Sequence, residues 1–288
     1  MCIAKIGIDI YLLKIKMYFC MTNIFVLMLK LNKTLFIFLF YPMVCFSQKA
    51  DFGLNYTYFF DNTEFSGSKY AVAQTMSGMH FLPSLNISFD NFYKIVGGAN
   101  ILIHSGASTQ IQDVYPVIYF HFEKNNSQFY AGAFPRSKTI SNYSDFIFSD
   151  SVLYYKPTLN GLYWKLGNEK KYLNTWLDWT GKQSATVRET FYAGISAKWS
   201  LNSIFYFDFQ SYLFHFAKTR PSQADQYVCD NTQAIVSCNY ANPNFINNNF
   251  LKLSAGIFTG FERERNTGNQ SIPNGFVAQI LFENKLGG

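Results

Sequence analysis

Residues 204–213 read Ile-Phe-Tyr-Phe-Asp-Phe-Gln-Ser-Tyr-Leu, and their alternation decides the fold. Successive side chains of an extended strand point to opposite faces. Phe205, Phe207, Phe209 and Leu213 therefore share one face, opposite Tyr206, Asp208 and Gln210. Residues 51–60 repeat the pattern, with Phe52, Leu54, Tyr56, Tyr58 and Phe60 opposite Gly53, Asn55 and Thr57. A stretch of about ten residues is what a tilted strand needs to cross a bilayer.

Working outward, the same period predicts strands near 51–60, 80–89, 92–104, 114–124, 128–136, 158–167, 172–180, 188–200, 204–217, 232–242, 250–263 and 275–285. Their connections alternate long and short, with tight turns at Asp90–Asn91, Asn125–Ser127, Asn168–Lys171, Leu201–Ser203 and, more loosely, Pro243–Asn249. Outer-membrane barrels have short periplasmic turns and longer external loops. The expected fold is thus all-β, an antiparallel transmembrane β-barrel of about twelve strands with its tight turns periplasmic. The competing reading is a secreted β-sandwich. It fits less well, because the second face here is mostly Gly, Ser, Thr, Asn and Tyr, where a sandwich carries charge. Closure has an energetic reason: each unpaired backbone group in hydrocarbon costs several kcal/mol.

Composition agrees. Of 288 residues 19% are aromatic, with 31 Phe and 20 Tyr, and only 15% are charged. The mean hydropathy of -0.02 is far below that of a helical membrane protein. The net charge of +6 is largely a targeting feature: residues 1–47 hold Lys5, Lys14, Lys16, Lys30 and Lys33 against Asp9, leaving 19 basic and 17 acidic residues downstream. This excludes nucleic acid as the expected partner.

Residues 28–47 pair a basic start with an apolar core from Leu35 to Tyr41, the breaker Pro42 and a Cys45-x-Ser47 end. They read as a signal peptide cleaved before Gln48. Met28 is a better start than Met1, so residues 1–27 read as a leader or mis-called start, and 48–288 as one barrel domain in the outer membrane. The expected partners are outer-membrane lipid, lipopolysaccharide and the barrel-insertion machinery, with small solutes or glycans as ligands.

Candidate functional residues fall in four groups, besides the scattered histidines. His121, Glu123, Lys165, Asp178, Lys198, Asp208, Lys252, Glu262 and Glu283 lie on the face expected to line the lumen, as the lining of a pore or as an internal salt-bridge network. Trp176, Trp179, Arg188 and Glu189 form a candidate ligand rim, or alternatively part of the interfacial aromatic girdle. Cys229 and Cys238 are spaced so that a disulfide stays open as a question. Glu262-Arg263-Glu264-Arg265 reads as a solvated rim, or as a site for lipopolysaccharide phosphate. The histidines at 80, 104, 121 and 215 show no zinc-protease spacing, and no phosphate loop, dinucleotide fingerprint or nucleophile elbow is present. No cofactor or metal is expected. The leading expectation is a passive channel or structural surface protein; the alternatives are a surface glycan- or lipid-binding barrel and an outer-membrane hydrolase.

Gly132-Ala133-Phe134-Pro135-Arg136, Asp150 through Tyr154-Tyr155-Lys156-Pro157, Trp176 to Glu189, and Phe261 to Arg265 before Gly275-Phe276 carry a resemblance. They resemble a group of Bacteroidota outer-membrane β-barrel proteins with no assigned activity. The resemblance implies location and fold and supplies no catalytic residues. The chain departs from that group by stopping at Lys285-Leu286-Gly287-Gly288 without a terminal aromatic, so its last wall is expected to be truncated.

Overall fold

The computed structural model describes residues 49–63, 73–148, 150–223, 226–246 and 249–284. The expected leader, signal peptide and final four residues lie outside these. The fold is all-β and antiparallel, in two compact units divided after Phe122. No described helix is long and apolar enough to cross a membrane.

The first unit holds β1 (Lys49–Thr63), β2 (Gln74–Phe89), β3 (Tyr93–His104) and most of β4 (Ile111–Lys124). Each strand pairs with its sequence neighbour, as in Phe52 opposite Leu85 and Ile95 opposite Phe120. The second unit holds β5 (Ser127–Pro135), a short helix α1 (Asp150–Tyr155), β6 (Thr158–Gly167), β7 (Lys171–Gly181), β8 (Thr190–Ser200), β9 (Phe205–Phe216), β10 (Cys229–Phe245) and β11 (Asn249–Glu264). It ends with the two-residue β12 (Gln270–Ser271) and with β13 (Asn274–Glu283), both paired to β11. All twelve expected strands are present, and among the described residues β12 is the one addition.

The tight turns have local causes. Asp90 and Asn91 both take positive φ, at 50° and 59°, the type I′ geometry that Asn and Asp tolerate and that matches strand twist. Asn168 Oδ1 accepts the backbone N–H groups of Lys170 and Lys171, and Asn202 Oδ1 those of Ile204 and Phe205. These are side-chain mimics of a backbone turn.

Polarity is inverted relative to a water-soluble protein. On one face of the second unit Leu162, Leu173, Ile195, Phe207, Val236, Ile257 and Ile280 are exposed. On the other, Asn174, Asp178, Ser196, Gln210 and Asn239 are buried. Phe205 and Phe207 are 40% and 45% exposed, so no second sheet covers them as a sandwich would require. Hydrocarbon is the solvent that makes such a wall stable.

Ile257 sits mid-strand on the oily face, opposite Val236 and Phe276. Ile257→Lys should cost about 2–4 kcal/mol in lipid, against less than about 0.5 for a water-facing position. Denaturant titration of protein refolded into vesicles measures it.

Candidate functional site

The polar face of the second unit is occupied by its own chain. Residues 136–148 of the connection from β5 to β6 fold onto this face and pack against β7, β8 and β9. Its anchor is Arg136, in a short 3-10 turn (Arg136–Lys138), which forms a buried ion pair with Asp178 of β7. Arg136 Nε also donates to Lys156 O at 2.8 Å, and the other oxygen of Asp178 accepts Asn160 N–H at 2.9 Å. A charge this deep is stable only when its whole hydrogen-bonding capacity is met.

Further along, Trp176 Nε1 donates to Tyr143 Oη at 2.9 Å, and Tyr143 Oη donates to Ser211 O at 3.2 Å. Burial pushes the Tyr143 hydroxyl well above its usual range, so it stays a neutral donor. Gln210 bridges the same loop, accepting from Ser144 N–H and donating to Asn142 O. Phe148 packs among Trp176, Tyr192 and Tyr212, and Phe146 reaches Phe258 of β11 edge-on, with ring centroids 4.9 Å apart. Gly194 makes room for this cluster: a Cβ there would lie 2.2 Å from the Trp176 ring.

A second cluster lies on the opposite, oily face at the end of the long loops. Asp230 of β10 stands opposite His215 of β9 and Arg263 of β11. His215 Nδ1 is 2.8 Å from Asp230 Oδ1. Arg263 Nη2 donates to Asp230 Oδ2 at 3.0 Å, while Arg265 donates Nε to Oδ2 at 2.7 Å and Nη2 to Oδ1 at 3.0 Å. The two guanidinium groups are about half exposed, at 45% and 49%, and cover a carboxylate that is only 8% exposed. In the same cross-strand row Trp179, Phe191 and His215 form a stack, with centroids 5.3 and 4.9 Å apart. Strand parity puts His215 on the same side as Phe205, Phe207 and Phe209.

A strand end beside long loops can carry such charge, because the cost of an ion on the lipid face falls to about 0–1 kcal/mol near a membrane interface. The loops brace the site. Arg265 N–H donates to Val228 O, Arg188 donates to Ala217 O and Tyr227 O, and Arg220 N–H donates to Ser184 O. Glu262 points to the polar face, where Asn231 and Ser271 donate to it, and Glu264 accepts from Thr267 and Asn269. Neither acid offsets the two arginines at Asp230.

The remaining candidates are spread out. On β4, His121 stands opposite Lys94, and Glu123 is exposed. Lys165 pairs with Glu169 at 2.8 Å, Lys198 lies over the Tyr206 ring, and Asp208 accepts from Gln210. Lys252 is half-buried opposite Ala241, and Glu283 is exposed at the end of β13. Trp176 is buried on the polar face, while Trp179 is exposed on the oily one and Arg188 lies over Phe216. Glu189 holds Ala217 N–H through its backbone carbonyl. The four rim candidates thus do not meet at a single point. Cys229 and Cys238 are free and nine residues apart on one strand, a rise of roughly 30 Å. That separation excludes a bridge between them within one chain.

These features define a class: an antiparallel membrane wall whose polar face is packed by its own loop and whose oily face carries a basic, histidine-containing cluster at one rim. A family model described as Lipid A 3'-O-deacylase-type matches residues 45–276, and the chain belongs to that family. The family description carries an activity, where the resemblance read from sequence supplied none. No curated protein matches the chain. Among solved structures, OmpT of Vibrio cholerae in its trimer form is similar with 13% identity and a TM-score of 0.43, covering 83% of this chain and 85% of that one. The loop L8 deletion mutant of the same protein gives 14% identity and a TM-score of 0.45, covering 84% and 90%.

Asp178→Ala should leave Arg136 buried without a counter-charge, at a cost of about 3–5 kcal/mol. Arg136→Met with Asp178→Leu should recover most of it, and denaturation midpoints of the three proteins in detergent measure both effects.

Proposed function

We propose that this chain is an outer-membrane barrel protein that hydrolyses an ester-linked acyl chain of a lipid A-type glycolipid in the leaflet around it. The observation that carries the reading is the His215–Asp230–Arg263–Arg265 cluster on the membrane-facing side of the wall. Membership of the Lipid A 3'-O-deacylase-type family supports the substrate class. The orientation used is that of the sequence reading: tight turns periplasmic, long loops outward, export by residues 28–47.

The substrate is a phosphorylated, acylated sugar, and the cluster has a part for each portion. Arg263 and Arg265 present guanidinium groups to phosphate, the planar match that favours arginine at such sites. The Trp179–Phe191 row offers flat apolar surface to acyl chains and sugar faces. Asp230 fixes the His215 ring through Nδ1, as a carboxylate orients a general base. His215 Nε2 then takes a proton from water as the water oxygen attacks the ester carbonyl carbon. When the bond from that carbon to the sugar oxygen breaks, the imidazolium returns the proton to that oxygen. The products are a free fatty acid and a sugar hydroxyl.

Passive conduction is the less supported role, because residues 136–148 pack on the polar face of β7–β9. The purified protein, incubated with lipid A in mixed micelles, should remove one acyl chain, read by mass spectrometry. His215→Ala should lower the rate at least about 100-fold, the usual loss for a general base. Arg265→Ala should mainly raise KM and weaken its dependence on salt. A wild-type protein that removes no chain, or a His215→Ala variant at full rate, would refute the assignment.

A further inference from the structure

The wall carries a second lipid-directed feature at its opposite end. Beside the tight turns of β6–β7 and β8–β9 lies a groove of about 410 Å³, within the range of roughly 300–1,000 Å³ typical of small-molecule sites. Cross-strand register explains it. Leu166, Leu173, Ala197, Phe209 and Val236 form one row across five strands, and Lys171, Trp199 and Phe207 form the next. Ala197 is the small residue in this patch of large ones, so it forms the floor and its neighbours the walls. The groove is shallow and open along the wall, so an acyl chain can lie against it.

Its mouth is basic. Lys171 Nζ lies 4.1 Å from the Trp199 ring centroid, with Lys170 beside it in the turn. The acid of the same turn, Glu169, is paired with Lys165, whose hydrogen bond and charge hold it below the usual carboxylate range. Asp208 borders the groove through its strand, but its carboxylate turns to the other face, where Gln210 donates to it. Lysines above an apolar trough at a membrane edge keep their heads at headgroup height while their stems cover apolar surface. The Trp199 ring sits where interfacial tryptophans gather.

We infer that this groove is a specific site for one anionic phospholipid, its acyl chain over Ala197 and its phosphate at Lys171 and Lys170. The site rests on the membrane reading of the wall and is separate from the His215 rim at the other end of the strands. It gives the protein a lipid contact in each leaflet, with different chemistry in each.

Native mass spectrometry tests it, with the full-length protein in mild detergent titrated with phosphatidylglycerol or phosphatidylcholine of identical chains. Wild type should retain a single phosphatidylglycerol under activation that strips phosphatidylcholine. Lys171→Gln should reduce that preference about fivefold, the effect of one lysine near an anionic lipid surface. Ala197→Phe should abolish retention of phosphatidylglycerol; its side chain points into lipid, and an unchanged heat-dependent gel shift confirms that it folds. Equal retention of the two lipids by wild type, or unaltered retention in both variants, would overturn the site. Neither variant touches the rim, so its failure with intact hydrolysis removes the groove alone. Loss of the esterase reading with retention intact leaves the groove standing.

Discussion

Everything in this structure follows from where backbone polar groups find partners when the surroundings are hydrocarbon. A strand in lipid has no water to satisfy its N–H and C=O groups, so each must pair with a neighbouring strand. The continuous registers from β5 to β11 meet that demand and leave side chains to divide by parity. Parity then imposes the inverted polarity: Leu173, Ile195, Phe207 and Ile257 outward, Asn174, Asp178, Ser196 and Gln210 inward. An exposed apolar surface of this extent would aggregate in water.

The inward face must in turn satisfy its own polar groups, and here the chain supplies partners from residues 136–148. Arg136 meets Asp178, and Asn142, Tyr143 and Ser144 meet Tyr172, Trp176 and Gln210. With that face engaged across β7–β9, two basic features stand on the other side. The arginines of the Asp230 cluster reach solvent at one end of the wall and the lysines at the turn of β6–β7 at the other. Both are the basic groups that the two proposed lipid contacts use.

Much of the fold was legible in the sequence because its two signals are local. Period-two alternation located every long strand, and Asp90, Asn91, Asn168 and Asn202 marked turns through side chains that accept backbone hydrogen bonds. β12 escaped because two residues paired to Glu262 and Arg263 leave no periodic trace. The inward loop escaped because its contacts join residues far apart in sequence, such as Tyr143 with Ser211. The site was half legible. Arg263 and Arg265 stood out as a charged run with phosphate-binding potential, yet His215 passed as one scattered histidine. Counting parity from Phe209 places it on the oily face, where an ionisable residue needs a reason. Trp176 and Trp179 were grouped by proximity in sequence, but an odd spacing along a strand sends them to opposite faces.

The central claim is that the face bearing Phe205, Phe207 and Phe209 meets lipid. A spin-label scan of residues 205–213 in β9, in protein lacking Cys229 and Cys238 and reconstituted in bilayers, examines it position by position. The account predicts that labels at 205, 207, 209 and 213 collide with oxygen dissolved in the bilayer, while those at 206, 208, 210 and 212 do not. Accessibility without this two-residue alternation, or with water-soluble nickel reaching the odd positions along the whole strand, would contradict it.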